Sequence, residues 1–592
     1  MSTIVDKLNR LAQYKLDIKN SIISKGQTVG DNMREFADAI SKISGGVEIP
    51  EILDTDPLTF VKIDNTEIVG YISIERVNKN FDKTFKYNKN DEGWVDYSVN
   101  EKIPLNYGDK LQFRSNSTIS MQSFNFKTYG GSYICGGSIA SLLNDDVNIT
   151  LPIICFEKLF MNCNILTAPV LPFNNLGEYC YENMFIGCTS LVNAPKLPAT
   201  TLAENCYNNM FSGCTSLVTA PKLPSTTLAK YCYINMFSGC TSLVNAPELQ
   251  ADTVYFQSYT NMFSGCTSLV NAPKLPATTL DDYCYNNMFD GCTSLVNAPE
   301  LPATTLASNC YNSMFYGCTS LVNAPELPAT TLAYGCYSNM FKGCTSLVNA
   351  PELPATTLAS NCYSSMFYRC TSLVTAPALH ATTLADGCYN SMFRYCTSLV
   401  NAHELPATTL ASNCYSSMFE DCTSLVNAPK LHATTLAPNC YYSMFYSCTS
   451  LVNAPELPAT TLADGCYNSM FRNCTSLVNA PELPATTLAS NCYYNMFYGC
   501  TSLVNAPKLP ATTLASNCYN FMFYNCKKLR TIYCKALYSS GTTMLTTSIG
   551  SNWLYGVPNY SICTFYKNPN LTISKRGVNT VPSNWTIYNW NI

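Results

Sequence analysis

A repeat of 26 residues constrains this chain more than any other feature of its sequence. The dipeptide Met-Phe recurs fourteen times at that interval, from Met184 to Met522, and a degenerate copy precedes it around Cys155 and Cys163. A fixed period of roughly 20–50 residues is typical of solenoids and propellers, so length alone cannot give the number of domains. We count repeat positions from the Met, which makes Met314 position 1 of its unit.

Each unit combines a helix-like half with an extended half. The apolar residues of the first half recur at offsets of 0, 3, 4, 7, 8 and 11, which predicts one face of an α-helix running from an N-cap at Thr305 to a stop at Gly317. In one unit these residues are Ala307, Cys310, Tyr311, Met314, Phe315 and Cys318. The other half, Thr-Ser-Leu-Val-Asn-Ala, predicts a short strand that Pro325 ends, because proline cannot donate to a ladder. One strand and one helix per unit is the plan of leucine-rich repeats.

The string GCTSL, followed by a proline-ended stretch and then by CY and MF, resembles the BspA-like leucine-rich repeats over about 155–534. The resemblance implies an α/β solenoid, a curved right-handed βα superhelix with a parallel sheet, of about 15 coils over 153–526. The asparagine of position 10 resembles the ladder that satisfies buried backbone groups in such repeats. The predicted structural core of a unit is Cys310, Cys318, Tyr311, Met314, Phe315 and Asn323.

Thirty-two cysteines raise the question of disulfides or metal sites. Most fall in pairs separated by eight residues, which on a helix is about 12 Å of rise, whereas a disulfide needs Cα atoms within about 7 Å. No CxxC motif occurs, and the three histidines do not accompany the pairs, so zinc is not favoured. We interpret the cysteines as small buried apolar residues, which indicates assembly in a reducing compartment and no cofactor. Redox or metal roles are the alternative.

Binding is expected where the units differ, at positions that the predicted fold leaves exposed. The candidates at position 3 are Tyr316, Lys342, Tyr368, Arg394, Glu420, Tyr446, Arg472 and Tyr498. Those at position 13 are Lys196, Lys222, Lys274, Glu300, Glu326 and Glu352. The competing interpretation is a solvated surface under weak constraint.

The flanks lack the repeat. Residues 1–46 predict a helical hairpin that serves as an anchor or oligomerisation segment, and the stretch KLDIKNSIISKGQTVGDNMREFADAISKI resembles N-terminal segments of phage tail and fibre proteins. Alternating apolar residues over 47–152 predict a β-sandwich-like module that caps the first coil. Residues 527–592 predict a C-terminal cap, sealed by Trp553, Trp585 and Trp590.

Together these features predict a non-enzymatic structural and adhesive protein of a phage virion, a tail or head fibre or appendage assembled in the host cytoplasm. Its expected partners are other virion proteins, through 1–46, and a host-surface glycan or protein, with a homo-oligomer as a further option. A net charge of −4 and the lack of a long apolar run argue against nucleic-acid binding and membrane insertion. A bacterial surface or secreted adhesin is the alternative. A glycan depolymerase would need a singular carboxylate pair, which the sequence does not single out.

Overall fold

The computed structural model describes residues 50–64, 68–76, 85–115, 124–536, 552–571, 573, 576–577 and 581–590. The chain forms two compact units, Met1–Pro198 and Ala199–Ile592. The helical hairpin predicted for 1–46 lies outside the described residues.

The first unit contains a module of short strands. They are β1 (Leu58–Lys62), β2 (Gly70–Arg76), β3 (Phe85–Lys89), β4 (Val95–Tyr97), β5 (Ile103–Leu105), β6 (Lys110–Ser115), β7 (Phe124–Tyr129) and β8 (Tyr133–Gly136), followed by a 3₁₀ helix (Ile139–Leu143). The strands form two antiparallel sheets, with the orders β4-β3-β6-β1-β8 and β5-β2-β7. Rings from both sheets meet between them, because the ring centre of Phe126 in β7 lies 5.2 Å from that of Phe60 in β1 and 5.1 Å from that of Phe113 in β6. This is the layering of a β-sandwich.

Strand β7 also covers the first coil. The Phe126 ring stacks on Phe160 at 5.6 Å, and Phe160 in turn stacks on Phe185 at 5.2 Å. The Phe126 amide donates to the Leu159 carbonyl at 2.7 Å, and its carbonyl accepts from the Cys163 thiol at 3.0 Å. Phe126 therefore acts as the phenylalanine of a coil that precedes the first.

The helices predicted for the repeats are wrong within the described part of the chain. The segment that includes Met314 is a run of overlapping turns, in which backbone amides alternate between two kinds of acceptor. The Met314 amide donates to the Tyr311 carbonyl, three residues earlier, at 3.2 Å. The Phe315 amide donates to the Met340 carbonyl of the next coil at 2.9 Å. An α-helix would keep both bonds within its own turns, so the segment instead uses half of its amides to join the coils.

Backbone dihedrals explain why the helical pattern failed. Every fourth residue of the segment is left-handed: Asn309 has φ 53°, Ser313 has φ 55° and Gly317 has φ 68°. Such residues interrupt a right-handed helix, and Gly and Asn adopt this conformation at the lowest cost. The apolar pairs fall between these positions, so their spacing imitates one face of a helix.

The extended half of each coil pairs in parallel with its neighbours, as expected. In most coils, however, this pairing involves a single residue instead of a strand. Isolated parallel bridges join Asn297 to Asn323 and Asn323 to Asn349, and equivalent bridges recur along the repeats. The coils therefore stack through a parallel ladder without the predicted helical layer, and the curvature and handedness of the superhelix stay predictions. Regular strands of the second unit are β9 (Thr253–Val254), β10 (Thr279–Leu280), β11 (Asn505–Leu509), β12 (Thr531–Cys534), β13 (Thr564–Lys567) and β14 (Thr586–Asn589).

Columns of identical side chains fill the interior. Tyr311 stacks on Tyr337 at 5.9 Å and Phe315 on Phe341 at 5.6 Å, and the side chain of Met314 is fully buried beside them. Stacked ring pairs of this kind contribute about 0.5–1.5 kcal/mol each beyond the area they bury. Asn323 does not belong to this core, which corrects the prediction. Leu321 takes the inward position, and the chain then runs along the surface, where the side chain of Asn323 is exposed.

The C-terminal cap begins with a segment that pairs with the last repeat as a further coil would, and a parallel sheet follows it. The Phe523 amide donates to the Trp553 carbonyl at 2.9 Å, so Trp553 stands where a coil has its methionine. Strands β11 to β14 then form a parallel sheet in chain order. Trp553 and Trp585 are buried, whereas Trp590 is half-buried and its ring lies 5.6 Å from that of Tyr533.

Candidate functional site

The cysteines lie in the core, and all thirty-two are buried thiols. The thiol of position 5 has a specific contact: Cys396 donates to the Phe367 carbonyl at 3.0 Å, and the same bond recurs along the repeats. Burial raises the pKa of Cys396 to about 12, so its thiol stays protonated at neutral pH. Where Ser258 replaces a cysteine, its buried hydroxyl donates to the Tyr255 carbonyl at 2.8 Å. These groups pack the coils and are unsuited to nucleophilic chemistry.

In the second unit, the candidates of position 13 form an exposed column whose charge changes from lysine to glutamate along the repeats. Lys196 lies in the first unit, and Lys222, Lys274, Glu300, Glu326 and Glu352 lie in the second; all six are exposed. An open groove of about 410 Å³, lined by prolines, contains Glu300 and Glu326. Further along, His432 contacts Glu404. The column offers scattered charges on a proline-rich surface.

The candidates of position 3 lie on successive coils and contact one another. We call this set the tyrosine–cation stripe. It begins at Tyr316, because position 3 of the four preceding coils is occupied by small or acidic residues: Ser212, Ser238, Ser264 and Asp290. The Lys342 ammonium lies between two rings, 5.4 Å from the centre of Tyr316 and 4.8 Å from that of Tyr368. Both distances are within the range of cation–π attraction.

The middle of the stripe contains an ion pair. Arg394 donates to Glu420 at 2.7 Å, and its guanidinium lies 5.9 Å from the centre of the Tyr368 ring. Burial raises the pKa of Glu420 in spite of this partner, because the side chain is only 10% exposed. Burial lowers the pKa of Arg394, but Glu420, Tyr395 and Tyr368 together more than offset that effect and raise the pKa overall.

The end of the stripe is aromatic. The Arg472 guanidinium lies between Tyr446 and Tyr498, at 5.4 Å and 4.6 Å from their ring centres. Tyr498 then stacks on Tyr524 at 4.6 Å with the ring planes 2° apart, and Tyr524 stacks on Tyr555 at 4.9 Å. The stripe therefore contains two runs of side-chain contacts, from Tyr316 to Glu420 and from Tyr446 to Tyr498, and the second run continues to two tyrosines beyond it.

Sequence reasoning missed four members of this surface. Tyr524 and Tyr555 extend the stripe, and the motif NWLYG around Tyr555 could have revealed its place because it matches the NMFYG of a coil. Arg369 and Tyr395 lie beside the stripe at position 4, where glycine is common in other coils. The Arg369 guanidinium lies 5.6 Å from the ring centre of Tyr368 and 5.2 Å from that of Tyr395.

Three cations of this surface have no acidic partner within the described residues. Only Arg394 forms an ion pair there, and Lys342, Arg369 and Arg472 contact rings instead. The Nε atom of Arg472 is buried and makes no hydrogen bond. Ring contacts do not use the N–H donors of a cation, so the donors that reach the surface stay available to an external anion; the buried Nε atom of Arg472 is not one of them.

Neither a metal-ligand cluster nor a membrane-spanning helix occurs among the described residues. In that part of the chain, no three His, Cys, Asp or Glu side chains form a group that could hold a metal ion. No helix there has the length and apolar character that crossing a membrane requires.

Comparison with known proteins identifies the repeats. A family model described as the BspA type leucine rich repeat region matches residues 154–296, 259–400, 308–451 and 441–570, which together make up more than half of the chain. No curated protein matched the chain.

Proposed function

Because the chain belongs to the BspA-type leucine-rich-repeat family, we propose that it is a non-enzymatic adhesive protein whose coils present a binding surface to a host cell. The tyrosine–cation stripe is the observation that supports this proposal. Core positions are nearly constant from coil to coil, whereas position 3 changes from Tyr316 to Lys342 to Glu420, and its side chains still contact those of neighbouring coils. A binding surface needs this combination of a constant scaffold and variable contacts.

The proposed location is a phage virion, as a tail or head fibre or appendage. The support is the resemblance of residues 1–46 to the N-terminal segments of phage tail and fibre proteins. In this proposal that segment joins the chain to other virion proteins, or to further copies of itself, and the repeats contact a host-surface glycan or protein.

Two measurements test the proposal. An antibody against the purified chain should detect it in purified phage particles by immunogold microscopy. Detection on the bacterial envelope instead would favour the adhesin alternative. Separately, the fluorescently labelled chain should bind intact host cells saturably, and unlabelled chain should compete for the sites. A chain that fails to bind host cells would refute an adhesive role.

A further inference from the structure

We infer that the tyrosine–cation stripe binds an acidic polysaccharide, a polymer that combines carboxylates with many hydroxyl groups. This inference rests on the proposed adhesive function and names the chemical class of its ligand. Three features of the stripe support it: the unpaired cations, their confinement between rings, and the stacking of the tyrosines on one another.

The charge of the stripe favours an anion. Four cations lie on it or beside it: Lys342, Arg369, Arg394 and Arg472. Glu420 pairs with Arg394, and Asp421 lies near enough to Arg394 for the two charges to interact. The local balance is therefore four positive against two negative charges, although the whole chain carries −4. An approaching polyanion meets a positive region on an otherwise weakly charged surface.

The geometry of the cations favours a carboxylate. The guanidinium of Arg472 lies between the rings of Tyr446 and Tyr498. When rings lie on both sides of a guanidinium, its remaining hydrogen-bonding directions lie in its own plane, which is the geometry of bidentate carboxylate binding. The rings also restrict the side chain before binding, so less conformational entropy is lost when the ligand arrives.

The tyrosines discriminate between classes of polyanion. Proteins that bind single-stranded nucleic acids present aromatic faces on which the bases stack. Here Tyr498 and Tyr555 both stack on Tyr524, so the two faces of Tyr524 are already covered. Ring edges and phenol hydroxyls remain for a ligand, and hydroxyls form hydrogen bonds with the hydroxyls of sugars. Tyr524 therefore has no free face for a base, which favours a polysaccharide over a nucleic acid at this end of the stripe.

The experiment measures binding of the full chain to three immobilised polymers by biolayer interferometry. The first is polygalacturonate, with one carboxylate on each sugar, and the second is its methyl ester, which has the same backbone without the charge. The third is single-stranded oligothymidylate. We expect the acid form to bind about tenfold more tightly than the ester, and its affinity to fall as salt is raised. Equal affinity for the ester, or tighter binding of oligothymidylate, would overturn the inference.

Matched variants locate the site. Lys342→Gln combined with Arg472→Gln should weaken polygalacturonate binding about tenfold, and Arg472→Lys should weaken it less because the charge remains. The control is Lys222→Gln combined with Lys274→Gln, which removes the same charge from the exposed column of position 13. An equal loss in the control would show nonspecific attraction and would reject the stripe. Circular dichroism establishes that each variant is folded. If the variant that contains Arg472→Gln does not fold, Lys342→Gln alone is compared with the control.

The host-cell assay separates the two proposals. A chain that binds host cells but prefers the methyl ester would overturn the polysaccharide inference and leave the adhesive function standing. A chain that binds neither cells nor polymers would remove both.

Discussion

Mild alkali should unfold the repeats, because folding keeps their thiols protonated. The five coils from Cys310 to Cys422 contain ten cysteines, all buried. Burial raises the pKa of every one of these thiols. In the unfolded chain a thiol titrates near pH ~8.5. The stabilisation is therefore complete below that pH and is lost as pH rises toward the folded-state pKa values.

The loss is large because it is repeated in every coil. At one pH unit above the unfolded pKa, each buried thiol lowers the free energy of unfolding by about 1.4 kcal/mol. Ten thiols then give about 14 kcal/mol, which is comparable to the whole stability of a typical domain, about 5–15 kcal/mol. Burial also raises the pKa of the tyrosines, including Tyr311 and Tyr389, so their ionisation adds to the loss at higher pH.

Urea denaturation followed by circular dichroism, with a reductant present, checks this between about pH 7 and about pH 9.5. We expect the urea midpoint to fall steeply above about pH 8.5, with many protons released per unfolding event. A midpoint that stays constant over this range would refute the reasoning, because it would mean that the thiols are not buried. A thiol reagent provides the control: all thirty-two cysteines should react in denaturant and few in the native chain.

Three further predictions concern single positions of the coil. Ser365 is left-handed, with φ 55°. Ser365→Gly should therefore raise the urea midpoint by an amount equivalent to about 0.5–1 kcal/mol. The control Ser372→Gly, at a position without positive φ, should lower the midpoint. Phe393→Ala should lower the free energy of unfolding by about 3–5 kcal/mol in thermal or urea unfolding, because the ring is fully buried between two other rings. The control Val400→Ala, at an exposed side chain, should lower it by less than about 0.5 kcal/mol. Asn323→Ala should change the free energy of unfolding by less than about 0.5 kcal/mol in the same assay, since the side chain is exposed. A loss of several kcal/mol would instead support the predicted ladder of buried asparagines.

The sequence was sufficient to predict the repeat, its register and most of its core. Tyr311, Met314 and Phe315 recur at a fixed interval, and side chains that repeat at a fixed interval meet their own copies when coils stack. The cysteines are buried thiols as predicted, although the prediction used the rise of a helix that the described repeats do not contain. The stripe could be proposed only as a set of variable positions, because its ring and cation contacts depend on the distance between coils.

The local conformation could not be deduced from the apolar pattern, because two backbones satisfy it. A helix and a run of turns both bring Cys310 and Phe315 inward, and only the residues between them distinguish the two. Asn309 and Gly317 carried that signal, since both residue types favour left-handed φ. Gly317, which the apolar pattern predicts as the end of a helix, is instead one of a series of left-handed residues spaced by four. Asn323 was misplaced for a related reason: the family resemblance suggested a buried ladder where the strand is one residue wide.

The turn segments also give the repeats a direction, and this explains why their two ends need different caps. Along these segments the amide of position 2 donates to the next coil, as Phe315 does to Met340. A stack built in this way leaves carbonyls without donors at its N-terminal end and amides without acceptors at its C-terminal end. Buried backbone groups of both kinds must be paired. In the first unit the Phe126 amide donates to Leu159, and in the second the Trp553 carbonyl accepts from Phe523. Because one cap must donate and the other must accept, exchanging them would leave both ends unpaired.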